Sequence, residues 1–108
     1  MWPIRITKKV ETGSGWEFVV EVGPHEQQIG YLIEVDEEHW MKLTDGRYEP
    51  EELIHRSLRF LLKKGRVIRD KRRFNLREIA RYHEDESGYI REMQRRTLRD
   101  FFRGGAGK

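Results

Sequence analysis

The segment Trp16-Glu17-Phe18-Val19-Val20-Glu21-Val22 decides the fold of this 108-residue chain. Apolar residues occupy every second position of the segment, which is the pattern of a strand with one buried face. The turn-forming residues 12–15 (Thr-Gly-Ser-Gly) precede it, and the residues 23–26 (Gly-Pro-His-Glu) end it because proline cannot donate a ladder hydrogen bond. The segment therefore predicts one strand with a turn on either side.

Similar alternation on both sides of this strand predicts two partners for it. Residues 4–11 carry Ile4, Ile6 and Val10 between polar residues, and residues 29–35 carry apolar side chains at every odd position. Short turns join antiparallel neighbours. We expect a three-stranded antiparallel β-meander with one apolar face that helices must cover.

The second half of the chain has helical signals. Pro50 suits the first position of a helix over about 50–64, and Gly65 suits its C-terminal cap. Asn75 can cap the next helix, with Glu78 reciprocating. The predicted helical segments are a short turn near 37–43, helices at about 50–64 and 76–83, and a last helix from about residue 89.

Two of these helices have an apolar side. In the helix at 50–64, the side expected in the core carries Leu53, Ile54, Leu58, Phe60, Leu61 and Leu62. The other side, expected to face solvent or a partner, carries Glu52, His55, Arg56, Arg59 and Lys63. The apolar side of the last helix carries Ile90, Met93, Thr97 and Phe101.

These elements predict an α+β fold, a three-stranded antiparallel meander followed by about three helices packed on one sheet face. We expect a single domain over residues 1–103 and a flexible glycine-rich tail over 104–108.

Composition excludes several classes of protein. Without cysteine the chain can form no disulfide, no thiolate nucleophile and no Cys-based zinc or iron-sulfur site. No apolar run reaches the roughly 18–20 residues of a membrane span, and the N-terminal residues lack a signal-peptide core. We expect a cytoplasmic protein without a membrane partner.

The net charge of +3 conceals an asymmetric distribution. Residues 1–54 hold five Lys/Arg against twelve Asp/Glu, a net of −7, and residues 55–108 hold seventeen against seven, a net of +10. Such a division is typical of a basic face for nucleic acid, of an acidic face for a partner, or of two halves that attract each other.

The basic half contains the strongest candidate binding residues, because arginine and lysine contact phosphate. The candidates for nucleic-acid contact are Lys63, Lys64, Arg66, Arg69, Lys71, Arg72, Arg73, Arg77, Arg95, Arg99 and Arg103. The competing interpretation is a solvated ion-pair network, since spacings such as Glu52/Arg56 and Glu92/Arg96 place opposite charges one helical turn apart. No helix-turn-helix, RNP or zinc-finger signature accompanies the arginines, so binding would rest on charge alone.

Other chemistry has weaker support. The four histidines have no metal-ligand spacing, and Gly13-Ser14-Gly15 precedes a strand, unlike a phosphate-binding loop. The acidic clusters at 37–38 and 84–86 lack an identifiable catalytic partner. The three tryptophans and Tyr31 could stack on bases, although packing is their commoner use. We therefore predict no catalytic residue, no metal and no cofactor.

Residues 31–82 contain motifs that also occur together elsewhere. They include Leu43-Thr44, Pro50-Glu51-Glu52-Leu53, Phe60-Leu61-Leu62 and Phe74-Asn75-Leu76-Arg77-Glu78-Ile79. In this respect the chain resembles a group of small bacterial proteins that have no established activity. It departs from the group at Lys63-Lys64-Gly65 and at His83-Glu84-Asp85. The resemblance implies a shared fold and a bacterial origin, and it implies no mechanism.

Three functional hypotheses follow. The first is a small non-catalytic binding or regulatory protein whose basic helical half contacts nucleic acid. The second is a protein-protein interaction module, or a small homo-oligomer with charge-complementary halves. An enzyme ranks last, because no nucleophile-base pair or cofactor loop is recognisable.

Overall fold

The part of the chain that the structure describes forms a mixed sheet with helices against one of its faces. The structure, a computed structural model, describes residues 2–82 and 86–95, with the backbone alone at 80–82 and 86. The elements in chain order are β1 (Ile4–Glu11), β2 (Gly15–Val22), a 3₁₀ turn (His25–Gln27), β3 (Ile29–Asp36), α1 (Glu37–Thr44), α2 (Pro50–Lys63), β4 (Arg73–Asn75), a 3₁₀ helix (Leu76–Tyr82) and α3 (Glu86–Gln94).

The predicted meander is present. β1 pairs antiparallel with β2, and β2 pairs antiparallel with β3, in a register that sets Phe18 opposite Ile33. In β3, and in β2 from Phe18 onward, every second residue is buried, as the alternation predicts for a half-buried strand. β1 differs, because Ile4 and Ile6 are only partly buried and Val10 is 42% exposed. The buried sheet residues of these strands are Phe18, Val20, Val22, Ile29, Tyr31, Ile33 and Val35.

The sheet has a fourth strand, which corrects the three-stranded prediction. β4 pairs with β3 in parallel, with Phe74 opposite Ile33, so the strand order is β1-β2-β3-β4. The Tyr31 hydroxyl donates to the carbonyl of Ile68, and this bond holds the loop between α2 and β4 against the core. A three-residue strand carries no periodic signal, and its parallel partner lies on the far side of two helices in sequence.

α2 agrees closely with its prediction. It begins at Pro50 and ends at Lys63, and Gly65 follows with a φ of +72°. The Arg66 amide donates to the Leu61 carbonyl, and the Gly65 amide donates to the Leu62 carbonyl. These bonds are typical of a helix that ends at a glycine. Leu53, Ile54, Leu58 and Leu61 are buried, while Phe60 and Leu62 are only partly buried and so differ from the predicted core positions.

The segment after β4 starts where expected but is a different kind of helix. Arg77 donates its amide to Asn75 Oδ1 at 2.9 Å, and Asn75 donates its amide to Glu78 Oε2 at 3.0 Å. This is the reciprocal cap that the sequence predicts. The segment Leu76–Tyr82 is a 3₁₀ helix and not an α-helix.

α3 begins earlier than predicted, and its buried side agrees with the predicted apolar side at Met93 but not at Ile90. Tyr89 and Met93 are buried, one helical turn apart, whereas Ile90 is 36% exposed. The predicted face included Ile90, which the structure turns outward. Thr97 and Phe101 lie outside the described residues.

No helix within the described residues is long and apolar enough to cross a membrane. The single domain over 1–103 stays a prediction, and the tail at 104–108 lies outside the described part of the chain.

Candidate functional site

α2 and α3 pack side by side in opposite directions and form a groove between them. Arg56, in the middle of α2, donates to the Arg95 carbonyl at 3.3 Å, while Phe60 packs on Tyr89 with ring centroids 6.0 Å apart. Ser57, between them in sequence, lies 2.8 Å from the Tyr89 hydroxyl. The contacts of Ser57 lie on the buried side of the interface. The solvent-facing side of the interface contains two recesses.

The C-terminal end of α3 is held by residues just before α2. Arg47 donates to the Gln94 carbonyl at 2.8 Å, and the Tyr48 hydroxyl donates to the Met93 carbonyl at 2.6 Å. The last carbonyls of a helix have no partner within the helix and carry partial negative charge, so a guanidinium there is favourable. These bonds fix the position of α3 along α2.

The Arg56 side chain is held by several contacts within the protein. Its side chain is 12% exposed and forms an ion pair with Glu52 at 3.1 Å, which confirms the predicted i,i+4 pair. Its guanidinium also lies 3.9 Å from the centre of the Tyr48 ring. With the bond to Arg95 described above, Arg56 is engaged on several sides within the protein.

The rim of the groove is basic. Arg59 and Lys63 are one turn apart on α2, and Lys64 follows the end of α2. Arg91 is on α3, and Arg95 directly follows its end. All five residues are exposed. The two carboxylates of the groove are already engaged, because Glu52 pairs with Arg56, and Glu92 lies 3.5 Å from Arg95. Among the described residues, cations therefore outnumber acids around this opening.

Phe60 is the aromatic residue among the described residues that line the groove. It lines both halves of the opening and is partly buried against the core. The Lys64 ammonium lies 5.0 Å from the ring centre, within the range of a cation–π contact. The groove thus combines an aromatic surface with surrounding positive charge.

Several of the sequence-predicted contact residues lie elsewhere, in ion pairs beside the sheet. Lys71 bonds to Glu78 at 2.7 Å. Arg73 lies 3.6 Å from Glu17 and 3.5 Å from Glu34, both of which belong to neighbouring strands. β4 brings Arg73 to this position because it adds to the sheet next to β3.

Arg77 belongs to the same group, since it lies 3.0 Å from Asp36 at the end of β3. Arg69 and Arg72 are exposed on the loop before β4, where Arg72 donates to the Arg69 carbonyl at 3.3 Å. Arg66 is half-buried after α2. Arg99 and Arg103 lie outside the described residues.

The structure therefore divides the predicted basic surface into two parts. Lys63, Lys64 and Arg95 lie at the α2–α3 groove, and the residues of 69–77 lie along the sheet edge and its loop. Arg59, Arg91 and Phe60 are groove residues that the sequence did not single out for binding. The i,i+4 spacings 59/63 and 91/95 could have indicated two basic stripes, although the pairing of the helices was needed to bring them together.

Two histidines have perturbed titration. Burial, followed by the nearby Arg77, lowers the pKa of His39, and burial, followed by Arg59, lowers the pKa of His55. Burial likewise raises the pKa of Tyr89 well above its usual value. Among residues 2–82 and 86–95, no group of three His, Cys, Asp or Glu side chains lies close enough to hold a metal ion.

Comparison of the chain with protein-family models, curated proteins and solved structures gives no match. The resemblance of residues 31–82 to small bacterial proteins accordingly stays a prediction.

Proposed function

We propose that this protein is a small non-catalytic binding protein that contacts the phosphate backbone of nucleic acid through the α2–α3 groove. The proposal is supported by a cluster of exposed cations around the partly buried side chain of Phe60. The cations are Arg59, Lys63, Lys64, Arg91 and Arg95. Arginine and lysine gain affinity for phosphate by releasing counterions from the nucleic acid. The groove offers several such contacts within one or two helical turns.

The arrangement of the charges favours the groove over the sheet edge. Arg59, Lys63 and Arg91 form no ion pair with a carboxylate of the described residues, so contact with a phosphate breaks no existing bond. Arg73 and Arg77, by contrast, would first have to leave the carboxylates of β2 and β3. Binding of an anionic ligand therefore costs less free energy at the groove than at the sheet edge, because no ion pair has to be broken there.

The test is a binding titration of labelled mixed-sequence RNA and DNA at about 50 and 200 mM salt. The double variant Arg59→Glu, Lys63→Glu should bind much more weakly than the wild type. For this variant, the slope of log K against log salt concentration should be smaller in magnitude by about 0.7–0.9 for each lost phosphate contact.

A matched control is the double variant Lys8→Glu, Lys42→Glu. It makes the same change of net charge at two exposed lysines that do not line the groove. It should retain most of the wild-type affinity. Equal losses in both double variants would show attraction by overall charge, and absence of wild-type binding at the lower salt would overturn the proposal.

A protein-interaction role is the second candidate, favoured by a separate apolar recess of about 330 Å³. Trp2, Leu62 and Val67 line it beside Gly65, on a different side of α2 from Phe60. Exposed apolar surface of this kind is typical of contact sites. If it joins copies of this chain, sedimentation should show concentration-dependent association that Leu62→Asp abolishes and that rising salt does not weaken.

A further inference from the structure

We infer that the groove prefers a single strand of nucleic acid, with one base stacked on Phe60, over a double helix. This inference rests on the proposed function and adds the class of ligand. Its basis is the position of the aromatic ring relative to the cations, which a surface acting by charge alone would not require.

The ring lies inside the groove and not on its rim. Phe60 lines two adjoining recesses of about 200 Å³ and about 610 Å³, as Glu92 and Arg95 also do, and it packs against Tyr89 and the core. A base within a duplex is stacked on both faces and cannot enter such a recess. An unstacked base of a single strand can do so and can lie against an aromatic side chain.

The cations on either side match a strand that passes over the ring. Arg59 and Lys63 line the smaller recess, Lys64 and Arg91 line the larger one, and Arg95, just after the end of α3, lines both. A backbone that runs between the helices therefore meets positive charge before and after the base at Phe60. Lys64, which now lies over the ring, can move to a phosphate because its side chain is exposed and flexible.

Charge alone gives the opposite preference. A duplex has the higher charge density, and counterion release is greater for B-DNA than for single strands. A purely electrostatic groove would consequently bind a duplex at least as well as a single strand. Preference for the single strand requires a contact to the bases, and among the described residues that line the groove Phe60 is the aromatic one.

The experiment measures fluorescence anisotropy with a labelled RNA of about 12 nucleotides, the DNA of the same sequence, and each annealed to its complement. At about 50 mM salt the wild type should bind the single strands roughly tenfold more tightly than the duplexes. The RNA and DNA arms should agree if stacking dominates, and a gap between them would identify the preferred sugar.

Three variants separate stacking from charge. Phe60→Leu keeps an apolar side chain against the core and should weaken single-strand binding roughly tenfold with little effect on duplex binding. Phe60→Tyr keeps the ring and should bind like the wild type. Lys63→Glu should weaken binding to both forms. Thermal unfolding of each variant checks that it is folded. If Phe60→Leu does not fold, the affinities of the wild type for single strands and for duplexes test the inference.

The outcomes distinguish the inference from the proposed function. Duplex binding equal to or tighter than single-strand binding, with Phe60→Leu unchanged, would overturn the stacking inference and leave a phosphate-binding groove. Failure of the wild type to bind any of the four probes would overturn both.

Discussion

Gly15 is the residue at which the start of β2 lies closest to the end of β3. A Cβ atom at this position would lie 2.0 Å from the Val35 carbonyl oxygen and 2.8 Å from the Glu37 amide nitrogen. The Glu37 amide also donates to the Ser14 carbonyl at 2.9 Å, so the two segments are tied together there. The absence of a side chain allows α1 to start directly from the sheet.

Gly15→Ala should therefore lower the free energy of unfolding by about 3 kcal/mol, because the backbone must separate to make room. Gly13→Ala is the matched control, since no atom lies within 4 Å of its added Cβ. It should change stability by less than about 0.5 kcal/mol. Urea denaturation measures both, and similar losses in the two variants would contradict this account.

Ser57 joins α2 to α3 through a buried polar contact. Its side chain is fully buried, and its Oγ lies 2.8 Å from the Tyr89 hydroxyl and donates to Met93 Sδ at 3.4 Å. A serine on the buried face of α2 is accommodated because these partners satisfy its hydroxyl.

Ser57→Ala and Tyr89→Phe should each reduce stability by about 1–2 kcal/mol, since each leaves a buried hydroxyl short of a partner. The double variant should lose less than the two single losses combined, because the shared hydrogen bond is removed once. A urea double-mutant cycle measures the coupling. Strictly additive losses would mean that the two hydroxyls do not interact.

At the scale of elements, β4 and the 3₁₀ helix form one unit around Asn75. Besides its two capping bonds, Asn75 donates its side-chain amide to Asp36 at 3.2 Å, which links this unit to the end of β3. Phe74, next to it, is buried and packs edge-on against Tyr31 with centroids 5.8 Å apart. The short strand is therefore held by its side chains as well as by its ladder.

Asn75→Ala should lower the free energy of unfolding by about 1 kcal/mol through the loss of the cap. Asn75→Ser restores an oxygen that can accept from the Arg77 amide, and it should lose less. Chemical denaturation compares the two variants with the wild type. If the alanine variant is as stable as the wild type, the cap does not stabilise this segment.

At the scale of the whole molecule, the acidic first half and the basic second half meet at the sheet edge. Glu17, Glu34 and Asp36 face Arg73 and Arg77 there. Part of the charge asymmetry thus forms ion pairs within the fold, which agrees with the alternative of two halves that attract each other. The cations at the α2–α3 groove remain on the surface.

The half-buried histidines His39 and His55 give the molecule a pH dependence. The pKa values of His39 and His55 lie below 6.5 in the folded protein, so the unfolded chain binds protons first as pH falls. The free energy of unfolding should be unaffected well above this value and should decrease as pH drops through about 6.5. Both groups contribute in the same direction.

Thermal unfolding between about pH 7.5 and 5.5 should show a falling Tm for the wild type. His39→Gln and His55→Gln should each flatten this dependence, because glutamine does not titrate. Glu37→Gln and Glu38→Gln serve as controls at exposed positions beside His39. A Tm that falls equally in the wild type and in both histidine variants would assign the effect to other groups.

Local patterns of sequence determined the three-stranded meander, α2 with its Pro50 start and Gly65 end, and the cap at Asn75. In each case the signal and its cause lie within a few residues, as alternation, fixed φ or side-chain-to-backbone bonding. Only the tertiary structure decided that β4 joins the sheet in parallel and that Ile90 faces outward. It alone separated the paired arginines of the sheet edge from the cations around Phe60. These features depend on contacts between residues far apart in the chain, where packing and charge pairing outweigh local preference.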